Sequence, residues 1–260
     1  MNDLLSKAYK KYQSEGFIQL LKGMSRFVGG PVHHRYNAFY HNELRERLPT
    51  RYNIVTLNGV ECLIERSPLD RFVPFYEPPW PTTDEPAYEA TEADAVRSYC
   101  STGDKVVVIG GGLGVTAVLA AREIGPEGVV DVYEPSSEAY DRIQATVAHN
   151  DLEDVINIHH ASVSSKTNPS FTYRSDIKRR VVAPKDLPDA DVYEMDCEGA
   201  EIPILENLVV RPDILLVETH RNHSEVVSLL DDLDYEIEDV VSDGHNQWEG
   251  ATHVRAKFRR

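Results

Sequence analysis

Three short stretches of this chain place acidic, basic and glycine residues at spacings that chemistry can use. In the first, VVVIGGGLGVT (residues 106–116), an apolar run enters Gly110-x-Gly112-x-Gly114. Glycine lets a backbone turn sharply and approach a ligand closely, and a helix beginning there presents free N–H groups. Glu134 ends the next apolar run, twenty residues after Gly114. A carboxylate in that place can accept the hydroxyls of an adenosine ribose. The combination indicates an adenosine-containing cofactor. The dinucleotide fingerprint is spaced GxGxxG, whereas the shorter GxGxG here suits a cofactor without phosphates, such as S-adenosylmethionine.

The second stretch, YEMDCEGAEIPILENL (193–208), puts Asp196 at the end of an apolar run, followed at once by Glu198, Gly199 and Glu201. Open α/β sheets bind ligands at the carboxyl ends of their strands, so Asp196 reads as a site residue. Glu198 and Glu201 also suit the start of a helix, where carboxylates are stabilised. The third stretch, RPDILLVETH (211–220), ends in Glu218 and His220. Residues two apart on a strand share one face, so both can point at one pocket. His220 is a candidate general base because imidazole titrates near neutrality. His223 completes an HxxH spacing, but the ligand types are scattered and no residue is assigned to a metal.

These residues need strands that end on one rim. The pattern predicts strands at 105–109, 129–134, 155–160, 190–196, 213–220, 235–241 and 252–258, with helices between most of them. Strand–helix alternation predicts an α/β, Rossmann-like fold: a mostly parallel seven-stranded sheet closed by an antiparallel C-terminal strand. Upstream, YNIVTLNGVECLIE (52–65) reads as a hairpin turning at Asn58-Gly59. Residues 71–88 hold five prolines and five aromatics and read as a loop. Phe17, Leu20, Leu21 and Met24 recur at helical spacing before Gly29-Gly30-Pro31. The expected division is a basic helical extension over 1–50, a hairpin and proline-rich loop over 51–90, and a cofactor-binding domain over 91–260.

From about residue 89 to 240 the chain resembles the FkbM family of S-adenosylmethionine-dependent methyltransferases. The resemblance rests on GDKVVVIGGGLG, VYEPSSE, Asn150 in VAHNDL, EMDCEGAEIPIL and RPDILLVETH. It implies a class I methyltransferase fold and O-methylation of a sugar, a glycan or another small hydroxylated acceptor. By match, Gly110, Gly112, Gly114 and Glu134 fall on cofactor positions, with Asp196 beside them. Asp196, Glu198 and His220 fall on the catalytic rim. One departure is Val108, where the family often carries an Asp. That position keeps open a non-catalytic cofactor-binding protein, and an NAD-dependent oxidoreductase is the other alternative.

The chain has 260 residues, 41% of them hydrophobic and 27% charged, which excludes collagen-like, low-complexity and wholly disordered classes. Asp and Glu number 43 against 27 Lys and Arg, a net charge of −16. On that balance no nucleic-acid partner is expected, since duplex binding needs a basic face. Nine Lys against eighteen Arg in so acidic a chain suggests a halophilic source. Residues 1–40 run the other way, with six basic residues against Asp3 and Glu15. Such a segment can pack on the acidic body or make a peripheral membrane contact through residues 1–30. Three cysteines without a CxxC pair, and no secretory signal, suggest a reducing cytoplasm, with the inner membrane surface as the alternative location.

Overall fold

The computed structural model describes residues 35, 39, 40, 44–49, 51–73, 78, 80–165, 180–197, 199–242 and 251–260. The helices expected before residue 30 lie outside these. The chain divides into two compact units, Met1–Asn53 with Glu65–Thr82, and Ile54–Ile64 with Thr83–Arg260. Among described residues of the first unit, Arg45 is the organising side chain. Its Nε meets Asp70 Oδ2 at 3.3 Å, its Nη2 donates to the Glu65 carbonyl at 2.7 Å, and its guanidinium lies 5.2 Å from the Trp80 ring.

The second unit is built on an eight-stranded sheet. Its elements are α1 (Ala90–Tyr99), β3 (Lys105–Ile109), α2 (Val115–Ile124), β4 (Val129–Glu134), α3 (Ser137–His149) and β5 (Ile156–Val163), then β6 (Arg180–Val182), β7 (Val192–Met195), α4 (Glu201–Leu205), β8 (Ile214–His220), α5 (His223–Asp232), β9 (Tyr235–Ser242) and β10 (Ala251–Phe258). They follow a hairpin, β1 (Arg51–Leu57) and β2 (Val60–Arg66). Spatial order in the large sheet is β6-β5-β4-β3-β7-β8-β10-β9. Strands β3 to β8 pair in parallel, and β10 runs antiparallel to both β8 and β9. The α/β, Rossmann-like expectation is therefore met. The extra strand is β6, three residues too short to stand out in the sequence.

Alternation gives the sheet two different faces. Val107, Ile109, Tyr193, Met195, Leu215, Val217, Val254 and Ala256 point to one, where Ile204, Leu205, Val226 and Leu230 complete an apolar core. The opposite face receives α1, α2 and α3, with Val96, Val118 and Ile143 fully buried. Polar side chains interrupt this second face at its carboxyl rim. Strand order reverses between β4-β3 and β7, which is where such sheets open a crevice.

The hairpin turns at Asn58 and Gly59, with φ of 46° and 80°. Two positive φ values are those of a type I′ turn, whose twist matches the strands it joins. Its tip is fastened to the second unit's own helices. Arg122 donates to the Gly59 carbonyl at 2.9 Å, and Asn150 Nδ2 donates to the Glu61 carbonyl at 2.9 Å. Asn150, singled out by the resemblance, thus holds a joint between α3 and the hairpin.

Candidate functional site

The glycine stretch makes the bend that its spacing predicts. Gly110, Gly112 and Gly114 all have positive φ. Gly110 has no alternative: a Cβ there would stand 1.8 Å from the Asp196 carbonyl oxygen. Close approach of the β3 and β7 ends requires that missing atom. At Gly112 a Cβ would meet nothing within 4 Å, so the bend opens outward there. Helix α2 starts at Gly114 with no side-chain cap, leaving its first N–H groups to other acceptors.

Glu134 faces this bend. Its Oε2 accepts from Gly111 N at 3.1 Å and Gly112 N at 3.2 Å, and its Oε1 accepts from Ser136 N at 2.7 Å. It is 6% exposed, and burial pushes its carboxyl upward against the opposing effect of those three N–H groups. A carboxylate offers about four acceptor positions. Three are engaged, so Glu134 can take about one further donor without loosening the bend.

Asp196 extends β7 by one residue, and its N–H donates to the Ile109 carbonyl at 3.0 Å. The Met195–Val217 pairing brings it beside Glu218, with which it shares a side-chain hydrogen bond. His220 completes the rim. Its Nε2 lies 3.6 Å from Asp196 Oδ1 and 3.9 Å from Glu218 Oε1, while Nδ1 lies 3.1 Å from Glu201 Oε1. Glu201 is fully buried. Burial raises its carboxyl, but contacts from His220, Gly199 N and Asn222 outweigh that and hold it below its usual value. An ionised carboxylate only accepts, so His220 Nδ1 carries the proton shared with Glu201 and Nε2 faces Asp196. Glu201 is therefore more than an acid at a helix start: it orients the imidazole.

Glu198, expected on the catalytic rim, lies outside the described residues. His223 Nδ1 meets Thr252 Oγ1 at 2.6 Å. His159 stacks on Tyr133 and bonds Asp131, and His160 stacks on Tyr140. Val108 is fully buried beside Glu194 of β7.

Four acidic or imidazole groups were not anticipated. Glu89 begins α1 with φ of 44° and bonds Thr116 of α2. Burial and the neighbouring Glu92 and Asp196 push its carboxyl up to about 8. Glu92, Glu194 and His253 lie inward of the rim, at 6%, 4% and 4% exposure. Glu194 is raised well above its ordinary value, first by burial and then by Asp196 and Glu92. Glu218 is pushed up to about 10 by the same two causes in the same order. Strand alternation from Asp196 would have found Glu194, but His253 needed the β8–β10 register, which pairs it with Glu218.

No protein-family model matches this sequence, and no curated protein matches it. Solved structures do. They include the M. jannaschii tRNA m1G37 methyltransferase, at 13% identity and TM-score 0.53 over 81% of this chain and 55% of that one. Methanocaldococcus jannaschii Trm5 in complex with adenosine matches at 12% and 0.53, over 82% and 57%. The complex of aTrm5 with tRNALeu matches at 12% and 0.52, over 80% and 53%. The chain spans little more than half the length of each. These likenesses correct one expectation: a net charge of −16 does not exclude a nucleic-acid partner, because this fold occurs in a protein solved with tRNA. Net charge sums the whole surface, whereas phosphate contacts are made by local groups. The chain has the α/β, Rossmann-like fold of these methyltransferases.

Proposed function

We propose that this protein is a methyltransferase that moves the methyl group of S-adenosylmethionine to a hydroxyl oxygen. One observation carries the reading: the Glu134 carboxylate sits on the glycine bend, on the same rim as the Asp196–His220–Glu201 array. The residues fit the cofactor. Glu134 retains capacity for a ribose hydroxyl, the bend is open at Gly112, and a phosphate-free ligand suits the GxGxG spacing. When bound, the cofactor supplies a methyl carbon on a positive sulfonium, open to in-line attack.

The protein's part is positioning and proton removal. Glu134 and the backbone at Gly110, Gly112 and Gly114 hold the nucleoside. His220, fixed through Nδ1 by Glu201, accepts the acceptor's hydroxyl proton at Nε2, with Asp196 beside that atom to stabilise the imidazolium. The FkbM resemblance of the same stretches supports a sugar hydroxyl as the acceptor.

Isothermal calorimetry with S-adenosylhomocysteine and a tritium-methyl transfer assay test this. Binding is expected in the wild type, weakened at least tenfold in Glu134→Gln. His220→Ala should keep cofactor binding and lose about 10²–10⁴-fold in turnover. Label entering glycans or small sugars supports the acceptor assignment. Label entering only tRNA would overturn that assignment but not the activity. Absence of binding, or tight binding of NAD instead, would overturn the whole reading.

A further inference from the structure

Inward of the rim, one face of the sheet carries an unusual row. Glu194 of β7, Glu218 of β8 and His253 of β10 share that face, by the pairings Glu194–Leu216 and Glu218–His253. Glu92 of α1 reaches the same place. His253 Nε2 lies 3.7 Å from Glu92 Oε1 and 3.9 Å from Glu218 Oε1. All three ligand atoms fall within 4.8 Å of one another, and each residue is buried. Atoms bound about 2.1 Å from one ion stand roughly 3.0–4.2 Å apart. The two spacings from His253 lie in that range and are too long for direct hydrogen bonds.

A second observation points to a missing cation. Glu194 is 4% exposed, its Oε2 has no hydrogen-bond partner, and the charges acting on it are those of Asp196, Glu92, Glu89 and Glu218. Arg255 shares the face, but its two terminal nitrogens are engaged by Asp239 and the Thr91 carbonyl. Buried carboxylates gathered in this way are ordinarily paired or bound to metal. We propose that Glu92, Glu218 and His253 bind one divalent cation, with Glu194 beside it, tying α1, β8 and β10 together under the rim. Oxygen ligands with one imidazole and no thiolate suit Mn2+ or a similar first-row ion. The site adjoins the rim through Glu218, whose Oε1 lies 3.9 Å from both His220 Nε2 and His253 Nε2; His220 keeps its proton-accepting place, and metal binding does not depend on the methyltransferase reading.

The experiment is elemental analysis of the purified full chain, followed by Mn2+ loading after chelation and pulsed EPR. About one divalent ion per chain is expected, with 14N coupling from one imidazole. The coupling should disappear in His253→Gln and persist in His220→Ala. Glu92→Gln should lower Mn2+ affinity at least tenfold, and Mn2+ should raise the melting temperature of the wild type but not of that variant. The acidic surface will attract Mn2+ without nitrogen coupling, so bound ion lacking 14N coupling in the wild type overturns the proposal. So does coupling lost in His220→Ala instead, or a wild-type chain whose melting temperature ignores Mn2+ because protons alone neutralise the cluster. S-adenosylhomocysteine binding, measured with and without Mn2+, separates failure here from failure of the activity assignment.

Discussion

At the scale of single residues, two glycines of one bend do different work. A methyl group at Gly110 would collide with backbone, the Asp196 carbonyl at 1.8 Å, and backbone at a strand end cannot step aside. Gly110→Ala should therefore cost more than about 4 kcal/mol or abolish folding. At Gly112 the methyl group enters open space, and only the positive φ of 52° opposes it. Gly112→Ala should cost about 1–2 kcal/mol yet weaken S-adenosylhomocysteine binding, because the added atom occupies space offered to the ligand. Chemical denaturation and calorimetry on the two variants separate these outcomes. Equal stability losses would show that the bend is a packing feature and not a ligand approach.

At the scale of elements, the hairpin governs the segment that enters α1. Asn58 Nδ2 donates to the Tyr88 carbonyl at 2.9 Å, and Arg97 donates to Asn58 Oδ1 at 2.9 Å. Glu85 exchanges backbone hydrogen bonds with Thr56 and Asn58. The turn thus pins residues 85–89, and Glu89 in turn reaches Thr116 at the start of α2. Asn58→Gly keeps a residue suited to the left-handed turn but loses the side-chain bonds. It should destabilise by about 1–3 kcal/mol in urea unfolding, and Asn58→Ala by more because it adds backbone strain. If the glycine variant matches the wild type, the clamp on Tyr88 carries no weight.

At the scale of the whole molecule, a chain of net charge −16 concentrates carboxylates even in its interior. Glu89 titrates at about 8 when folded, against an ordinary 4.5. The folded state holds that proton more tightly, so its contribution to stability is intact below pH 4.5 and is lost as pH rises towards 8. Metal-free, ligand-free protein should melt several degrees lower at pH 8 than at pH 5. Glu89→Gln should remove part of that slope. A melting temperature that climbs over this range in both proteins would show that other groups, titrating in the opposite sense, dominate. Among the described residues no helix is long and apolar enough to cross a membrane.

Local chemistry made much of this protein legible in its residues. Seven strands, the Asn58-Gly59 turn, the glycine bend and the acid at Glu134 all rest on short-range rules: alternation, turn conformations, and the freedom of glycine. Asp196 and His220 could be placed on one rim because strand ends declare themselves in sequence. Tertiary structure alone decided which groups face each other. It joined Glu201 to His220 across nineteen positions, and His253 to Glu218 through an antiparallel register. It sent His223 to Thr252, and it packed Glu92 of a preceding helix onto the sheet. Register and helix placement are set by the sum of many weak packing contacts, which no short stretch of sequence contains.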